Sequence, residues 1–203
     1  MSAVPKPRRL TVEEYFAIED RAERKSEFYA GEMFQMAGAS REHNVLSRNL
    51  AEHLFPALRG GPCQLFFSEM RVKVDRTGLY TYPDLLIVCG EPEFAPENRN
   101  TLTNPKVIFE VLSDSTERYD RTTKLRFYQQ MPSLAEYVLV AQDEPLVERF
   151  ARQPDGQWVH AAFAGLDATL TLATGPVRLS LADVYRGVEF PPPRLPAAAT
   201  SAP

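Results

Sequence analysis

The sequence predicts an α/β (α+β) fold: a central mixed β-sheet flanked by helices, with a β-rich C-terminal extension. Three observations carry this. Tyr82-Pro83-Asp84-Leu85-Leu86-Ile87-Val88 and Val107-Ile108-Phe109-Glu110-Val111-Leu112 are short runs of apolar, β-branched and aromatic residues that read as buried strands. From Arg41 to Leu58, the residues His43, Leu46, Ser47, Leu50, Leu54 and Leu58 fall near one face of a helix. After Glu110 the order strand, helix, strand implies a right-handed parallel crossover.

Taken in order, residues 1–10 carry Pro and Arg and read as a loose N-terminus. Thr11-Val12-Glu13-Glu14 matches a capping box that opens a short helix to about Glu19. Ser26 to Tyr29 and Glu32 to Met36 form a hairpin around Ala30-Gly31, with Gly31 supplying positive φ. Ser40 N-caps the helix from Arg41, which ends at Gly60-Gly61-Pro62. Gln64 to Val74 is strand-like, and a change of apolar phase near Ser68-Glu69 predicts a bulge. Asp75-Arg76-Thr77-Gly78 turns into the Asp84 strand, and residues 90–104, rich in Glu, Pro and Asn, read as a flap or lid. Ser113-Asp114-Ser115-Thr116 supplies N-cap residues for a helix to about Gln130, followed by a strand from Glu136 to Val140. Strands near Leu146 to Ala151 and Gln157 to Phe163, around the Asp155-Gly156 turn, extend the same sheet. Trp158 is assigned to the core. The tail, 191–203, is Pro- and Ala-rich and predicts disorder.

A chain of 203 residues suits one domain, here 11–190. Its net charge of -4 repels nucleic acid at long range, so any such contact must use a local basic patch. The candidates are Arg8, Arg9, Arg21, Arg24 and Lys25, and Arg118, Arg121, Lys124 and Arg126. Cys63 and Cys89 lie far apart in a chain without a signal peptide, which predicts a reduced, cytoplasmic protein with no disulfide. No CxxC pair exists and His43, His53 and His160 lack ligand-like spacing, which excludes structural zinc. No apolar run is long enough to span a bilayer.

Asp84 and Glu110 are the exceptions in their apolar strands. An ionised carboxylate taken out of water costs several kcal/mol unless a cation or strong donors receive it, so two of them need a shared partner. Carboxylate oxygens hold Mg²⁺ or Mn²⁺, and such an ion polarises a phosphodiester and acidifies an attacking water. A neighbouring ammonium can stabilise the charge of the transition state, the role assigned to Lys124. Taken alone, Asp120 and Lys124, four apart on one helix face, read as a surface salt bridge.

With these residues in view, the chain resembles the Uma-type restriction endonucleases of the PD-(D/E)XK nuclease superfamily. The resemblance covers nearly the whole chain. It begins at Leu10-Thr11-Val12-Glu13-Glu14-Tyr15 and continues through Ser26-Glu27-Phe28-Tyr29-Ala30-Gly31-Glu32, His43 and Pro83-Asp84. It then includes Glu110-Val111-Leu112-Ser113, Asp120, Lys124, Tyr128 and Glu136-Tyr137-Val138-Leu139-Val140. It implies a restriction-endonuclease-like fold with Asp84 and Glu110 as metal ligands. Lys124 would be the catalytic cation, with Glu27 and His43 as further catalytic candidates. In the superfamily the lysine usually lies two residues after the glutamate, where this chain has Leu112; the Uma-type pattern places it on the following helix, at Lys124. Glu27 could add a ligand or hold a water, His43 could instead be a core residue, Ser113 an N-cap or supporting group, and Tyr119 and Tyr128 packing residues.

The expected function is a Mg²⁺-dependent endonuclease acting on DNA, working as a homodimer. One alternative is a catalytically silent nucleic-acid-binding or regulatory protein that retains the fold. Another is a structural dimer module in which the carboxylates pair internally.

Overall fold

Thr11 opens the first helix, α1 (Val12–Glu19), through the reciprocal bonds its sequence signature predicts. The Glu14 N–H donates to the Thr11 hydroxyl at 3.2 Å and the Thr11 N–H to the Glu14 carboxylate at 2.9 Å. The computed structural model describes residues 8–192. Of the stretch read as loose, residues 8–10 are described, and they are held: the Leu10 N–H donates to Gly31 O at 2.9 Å and Arg8 pairs with Glu14. Of the tail, all but residues 191 and 192 lie outside the described residues.

Strands β1 (Ser26–Tyr29) and β2 (Glu32–Gln35) form the expected hairpin, with Ala30 at φ 52° and Gly31 at φ 85°. Gly31 is required twice over, because a Cβ there would stand 2.5 Å from Arg9 Cβ. The second helix, α2 (Arg41–Leu58), keeps its expected bounds, and its N-cap Ser40 accepts from the His43 N–H at 2.9 Å. Its Leu46, Leu50, Leu54 and Leu58 are buried.

The strands that follow are β3 (Cys63–Phe67), β4 (Arg71–Val74), β5 (Leu79–Thr81), β6 (Leu85–Cys89), β7 (Phe94–Ala95), β8 (Asn98–Leu102), β9 (Val107–Val111) and β10 (Glu136–Val140). After them come β11 (Leu146–Arg152), β12 (Trp158–Ala164), β13 (Thr169–Thr171) and β14 (Arg178–Ser180). The central mixed sheet has the order β12-β11-β10-β9-β6-β3, and a second six-stranded sheet has the order β2-β1-β5-β4-β8-β7. Strands β9 and β10 are parallel, as the crossover requires, and β11 and β12 extend the same sheet antiparallel. The α+β fold with a central mixed sheet therefore holds.

Period-two alternation sorts the central sheet's side chains to two faces. Leu85, Ile87, Val107, Phe109, Val138 and Val140 pack with α2 and with the last helix, α5 (Leu181–Val184). Leu86, Val88, Ile108, Tyr137 and Leu139 pack on the other face. That face is covered by the second sheet, through Val72, Val74 and Leu102, and by a helix of three consecutive parts. These are α3 (Glu117–Tyr119), a π-helical turn (Asp120–Lys124) and α4 (Leu125–Tyr128).

Several expectations are corrected. Residues 64–74 are two strands in different sheets, divided at a turn closed by the Met70 N–H on Phe67 O at 2.8 Å. The phase change read as a bulge marks the point where the chain leaves one sheet for the other. The Asp84 run breaks for the same reason: β5 belongs to the second sheet and β6 to the central one, and Asp84 stands in the crossing just before β6. The expected flap at 90–104 is in part the hairpin β7–β8, docked by β8 in parallel on β4. Cys63 and Cys89 form a disulfide, because antiparallel β3 and β6 bring them opposite each other. Separation in sequence says nothing about separation across a ladder.

The hairpin is clamped by Glu97, which accepts from the Tyr80 hydroxyl at 2.6 Å and from Lys73 Nζ at 2.7 Å. Burial works to raise the Glu97 carboxyl, yet these bonds hold it at about 2, against an ordinary 4.5. A depressed carboxylate contributes stability above its unfolded pKa, and this contribution is lost as pH falls from about 4.5 through about 2. At pH 7, Glu97→Gln is expected to cost under about 1 kcal/mol, since the group is partly solvated. Urea unfolding of both proteins checks this, and a gap in midpoint that fails to narrow below pH 4 would sink it.

Candidate active site

Four elements deliver charged side chains to one cavity of about 850 Å³ beside the end of β9. Glu110, on the same face as Ile108, points toward the 117–128 helix, where its Oε1 accepts from the Tyr128 hydroxyl at 2.9 Å and from Lys124 Nζ at 2.8 Å. From β1, Glu27 Oε1 lies 3.1 Å from the same ammonium and accepts from the Thr81 hydroxyl. Asp120 Oδ1 is 3.4 Å from it. Lys124 is 4% exposed, so the pair with Asp120 is no surface bridge, and that expectation is corrected. The helix there is pressed into the sheet, with the Tyr137 hydroxyl donating to Asp120 O at 3.3 Å. The widened turn holds Tyr119, Asp120 and Lys124 together, and Lys124 Nζ stands 6.0 Å from the rings of both Tyr119 and Tyr128.

Asp84 enters from the crossing just before β6. The β6–β9 register pairs Leu85 with Phe109, so Asp84, one residue earlier, is brought against Glu110. Its Oδ2 accepts from the Val111 N–H at 2.7 Å, and its Oδ1 lies 3.0 Å from His43 Nε2. His43 is thus no plain core residue. Its position is set by the Ser40 cap, whose hydroxyl donates to Gln142 Oε1 at 2.6 Å, while Gln142 Nε2 donates to Leu112 O. The Ser113 hydroxyl meets that of Thr116 at 2.9 Å, and its carbonyl accepts the Glu117 N–H at 2.8 Å, a supporting role.

All five expected catalytic residues, Asp84, Glu110, Lys124, Glu27 and His43, line this one cavity. Sequence reasoning named Asp120 within the resemblance but gave it no role in the site, although its helical phase with Lys124 and Tyr128 was a usable signal. Thr81 and Gln142 left no signal, since an isolated Thr or Gln carries none.

Burial pushes the Glu110 carboxyl well above the ordinary carboxylate range; Lys124 opposes this, while Asp120 and Asp84 add to it. Asp120 is also raised, by burial first, with Lys124 again opposing. Glu27 goes the other way: burial would raise it, but the Lys124 ammonium and hydrogen bonds from Thr81, Lys124 and Tyr119 together lower it. Burial works against the Lys124 charge, yet Glu110, Glu27, Tyr128 and Asp120 hold that ammonium protonated far beyond its usual range. Three carboxylates thus contact one ammonium, and a fourth, Asp84, lines the same cavity.

That surplus of negative charge, on hard oxygen donors, suits a divalent cation. Among the described residues no three His, Cys, Asp or Glu side chains converge as a ready cage. A juxtaposed pair such as Asp84 and Glu110 nonetheless matches Mg²⁺, which is commonly held by one or two carboxylates and otherwise by water and substrate phosphate.

The chain is 36% identical over 170 residues, 84% of its length and 96% of the relative's, to the protein sll1609 of Synechocystis sp.. It is 32% identical over 185 residues, 90% of its length and 94% of the relative's, to slr1290 of the same organism. The crystal structure of a "putative nuclease belonging to DUF820" from Anabaena variabilis shares its fold. The TM-score is 0.71 at 18% identity, over 87% of this chain and 98% of that one. The Uma2 family model, described as "Putative restriction endonuclease", matches residues 12–183, and the chain belongs to that family.

Proposed function

We propose that the protein is a metal-dependent endonuclease that hydrolyses phosphodiester bonds, with DNA as its substrate and Mg²⁺ or Mn²⁺ as its ion. One observation carries the reading: Lys124 and the carboxylates of Glu27, Glu110 and Asp120 share one buried cluster, in the same cavity as Asp84. Asp84 and Glu110 would hold the ion, which polarises the phosphate and lowers the pKa of the attacking water.

The chain's own groups divide the remaining work. The Val111 N–H and His43 hold the Asp84 carboxylate, and the Tyr128 hydroxyl holds Glu110, so both oxygen donors are oriented before any ligand arrives. Lys124 brings positive charge to the cavity, and by releasing one of its three carboxylate partners it would donate an N–H to the phosphoryl oxygen on which charge builds. Glu27 and Asp120 restrain that ammonium from both sides. We assign two copies to the working unit, since cutting both strands of a duplex needs two such sites. Among the described residues no helix is long and apolar enough to cross a membrane.

The direct test is nicking of supercoiled plasmid, with single-stranded DNA and RNA in parallel, in millimolar Mg²⁺ or Mn²⁺. Glu110→Gln is expected to slow cleavage by at least about 100-fold. No cleavage of any of these substrates with either ion sinks the proposal. The catalytically silent reading is then ahead, favoured by the three carboxylates that already satisfy Lys124.

A further inference from the structure

The β1–β2 hairpin has two faces with different tasks. Phe28 and Met33, paired across the strands, turn inward, and Phe28 stacks on Tyr15 at 4.8 Å in an aromatic cluster under α1. Glu27 pairs with Phe34, and cross-strand partners share a face, so Phe34 stands beside a carboxylate of the site, about 5 Å away at Cβ. Tyr29, two residues after Glu27, lies on that face too, and its ring meets that of Phe127 on α4 at 4.9 Å. All three rings line the cavity that holds Asp84, Glu110 and Lys124. Phe34 is 49% exposed, on a strand at the sheet's edge.

Beside the site's carboxylates, the exposed ring of Phe34 offers a flat apolar face that a flat apolar partner would cover. In a duplex the base faces are covered by their neighbours, and only edges reach the grooves. Faces become available where a base leaves the stack, and there aromatic side chains receive them. The phosphate side of such a substrate has its complement in Arg24, which lines the same cavity; Lys25 lines it too, with its ammonium paired to Glu69 and donating to Ser68 O at 2.7 Å.

Building on the nuclease reading, we propose that the substrate enters this cavity as an unpaired nucleotide segment, single-stranded or locally opened, with a base stacked on Phe34 against the Tyr29–Phe127 wall. Fluorescence anisotropy at low ionic strength, with EDTA present, reads binding apart from cleavage. The parent protein is expected to bind a short labelled single strand at least about tenfold more tightly than the same sequence as a duplex. Phe34→Ala should lose about tenfold on the single strand and nothing on the duplex, while Phe34→Trp keeps the parent's preference. Equal binding of single strand by Phe34→Ala and the parent overturns the inference. So does a loss that sedimentation traces to a dissociated dimer, which makes Phe34 a contact between copies. If the binding pattern appears but plasmid, single strand and RNA all stay uncut with metal, the inference stands and the nuclease reading falls. Cleavage without the binding pattern keeps the nuclease reading and overturns the inference.

Discussion

Lys124→Ala is expected to abolish cleavage and to lower the stability of the metal-free protein by about 3–5 kcal/mol, the cost of removing one partner from a buried ionic cluster. Lys124 Nζ is the cation for Glu110 at 2.8 Å, Glu27 at 3.1 Å and Asp120 at 3.4 Å, and among the described residues no other basic side chain pairs with these three. Without it the three carboxylates repel one another in a poorly solvated place. Protonation relieves that repulsion, so the stability gap between variant and parent should widen from pH 5 to pH 8. In a domain of this size the gap amounts to a fall in melting temperature of roughly 10 °C or more. Added Mg²⁺ should then stabilise the variant at least as much as the parent, because a divalent ion can replace the lost charge. Thermal unfolding across that pH range, with and without Mg²⁺, checks this, and a variant as stable and as active as the parent would return Lys124 to a surface role.

Millimolar Mg²⁺ or Mn²⁺ should raise the parent's melting temperature, and Asp84→Asn should remove the rise. At an ion concentration 100 times Kd the linkage is worth about 2.7 kcal/mol, which in a chain of this length is roughly 5–10 °C. Metal ligands must be deprotonated, so the effect should be larger at neutral than at acid pH. Asp84→Asn keeps an oxygen for the Val111 N–H while relieving repulsion of Glu110, and its metal-free stability should stay within about 1 kcal/mol of the parent's. Calorimetry of both proteins with each ion decides the matter. An unchanged melting temperature for the parent, with a short uncleavable oligonucleotide present to complete the coordination, would remove the metal from Asp84 and Glu110.

The sequence by itself determined the local units of this protein. Helical spacing from Arg41 to Leu58 with Ser40 as cap, the Thr11–Glu14 box and the Ala30-Gly31 hairpin are all written in neighbouring residues, and each appears as read. The candidate carboxylates Asp84 and Glu110 were legible for the same reason: a carboxylate in an apolar run is an anomaly that needs no partner in view to be noticed. What only the tertiary structure decided is which units share a sheet. The chain crosses between two sheets at Ser68–Met70 and again at 82–84. From inside the sequence, such a crossing has the same phase shift as a bulge or the same apolarity as a continuous strand. The disulfide and the parallel docking of β8 on β4 depend on register between distant segments, which no local pattern encodes. Burial of the Asp120–Lys124 pair is of this kind as well. Two charges four apart on a helix look the same whether that face meets water or a sheet, and only packing of the helix against Glu110 and Glu27 turned a surface pair into a buried cluster.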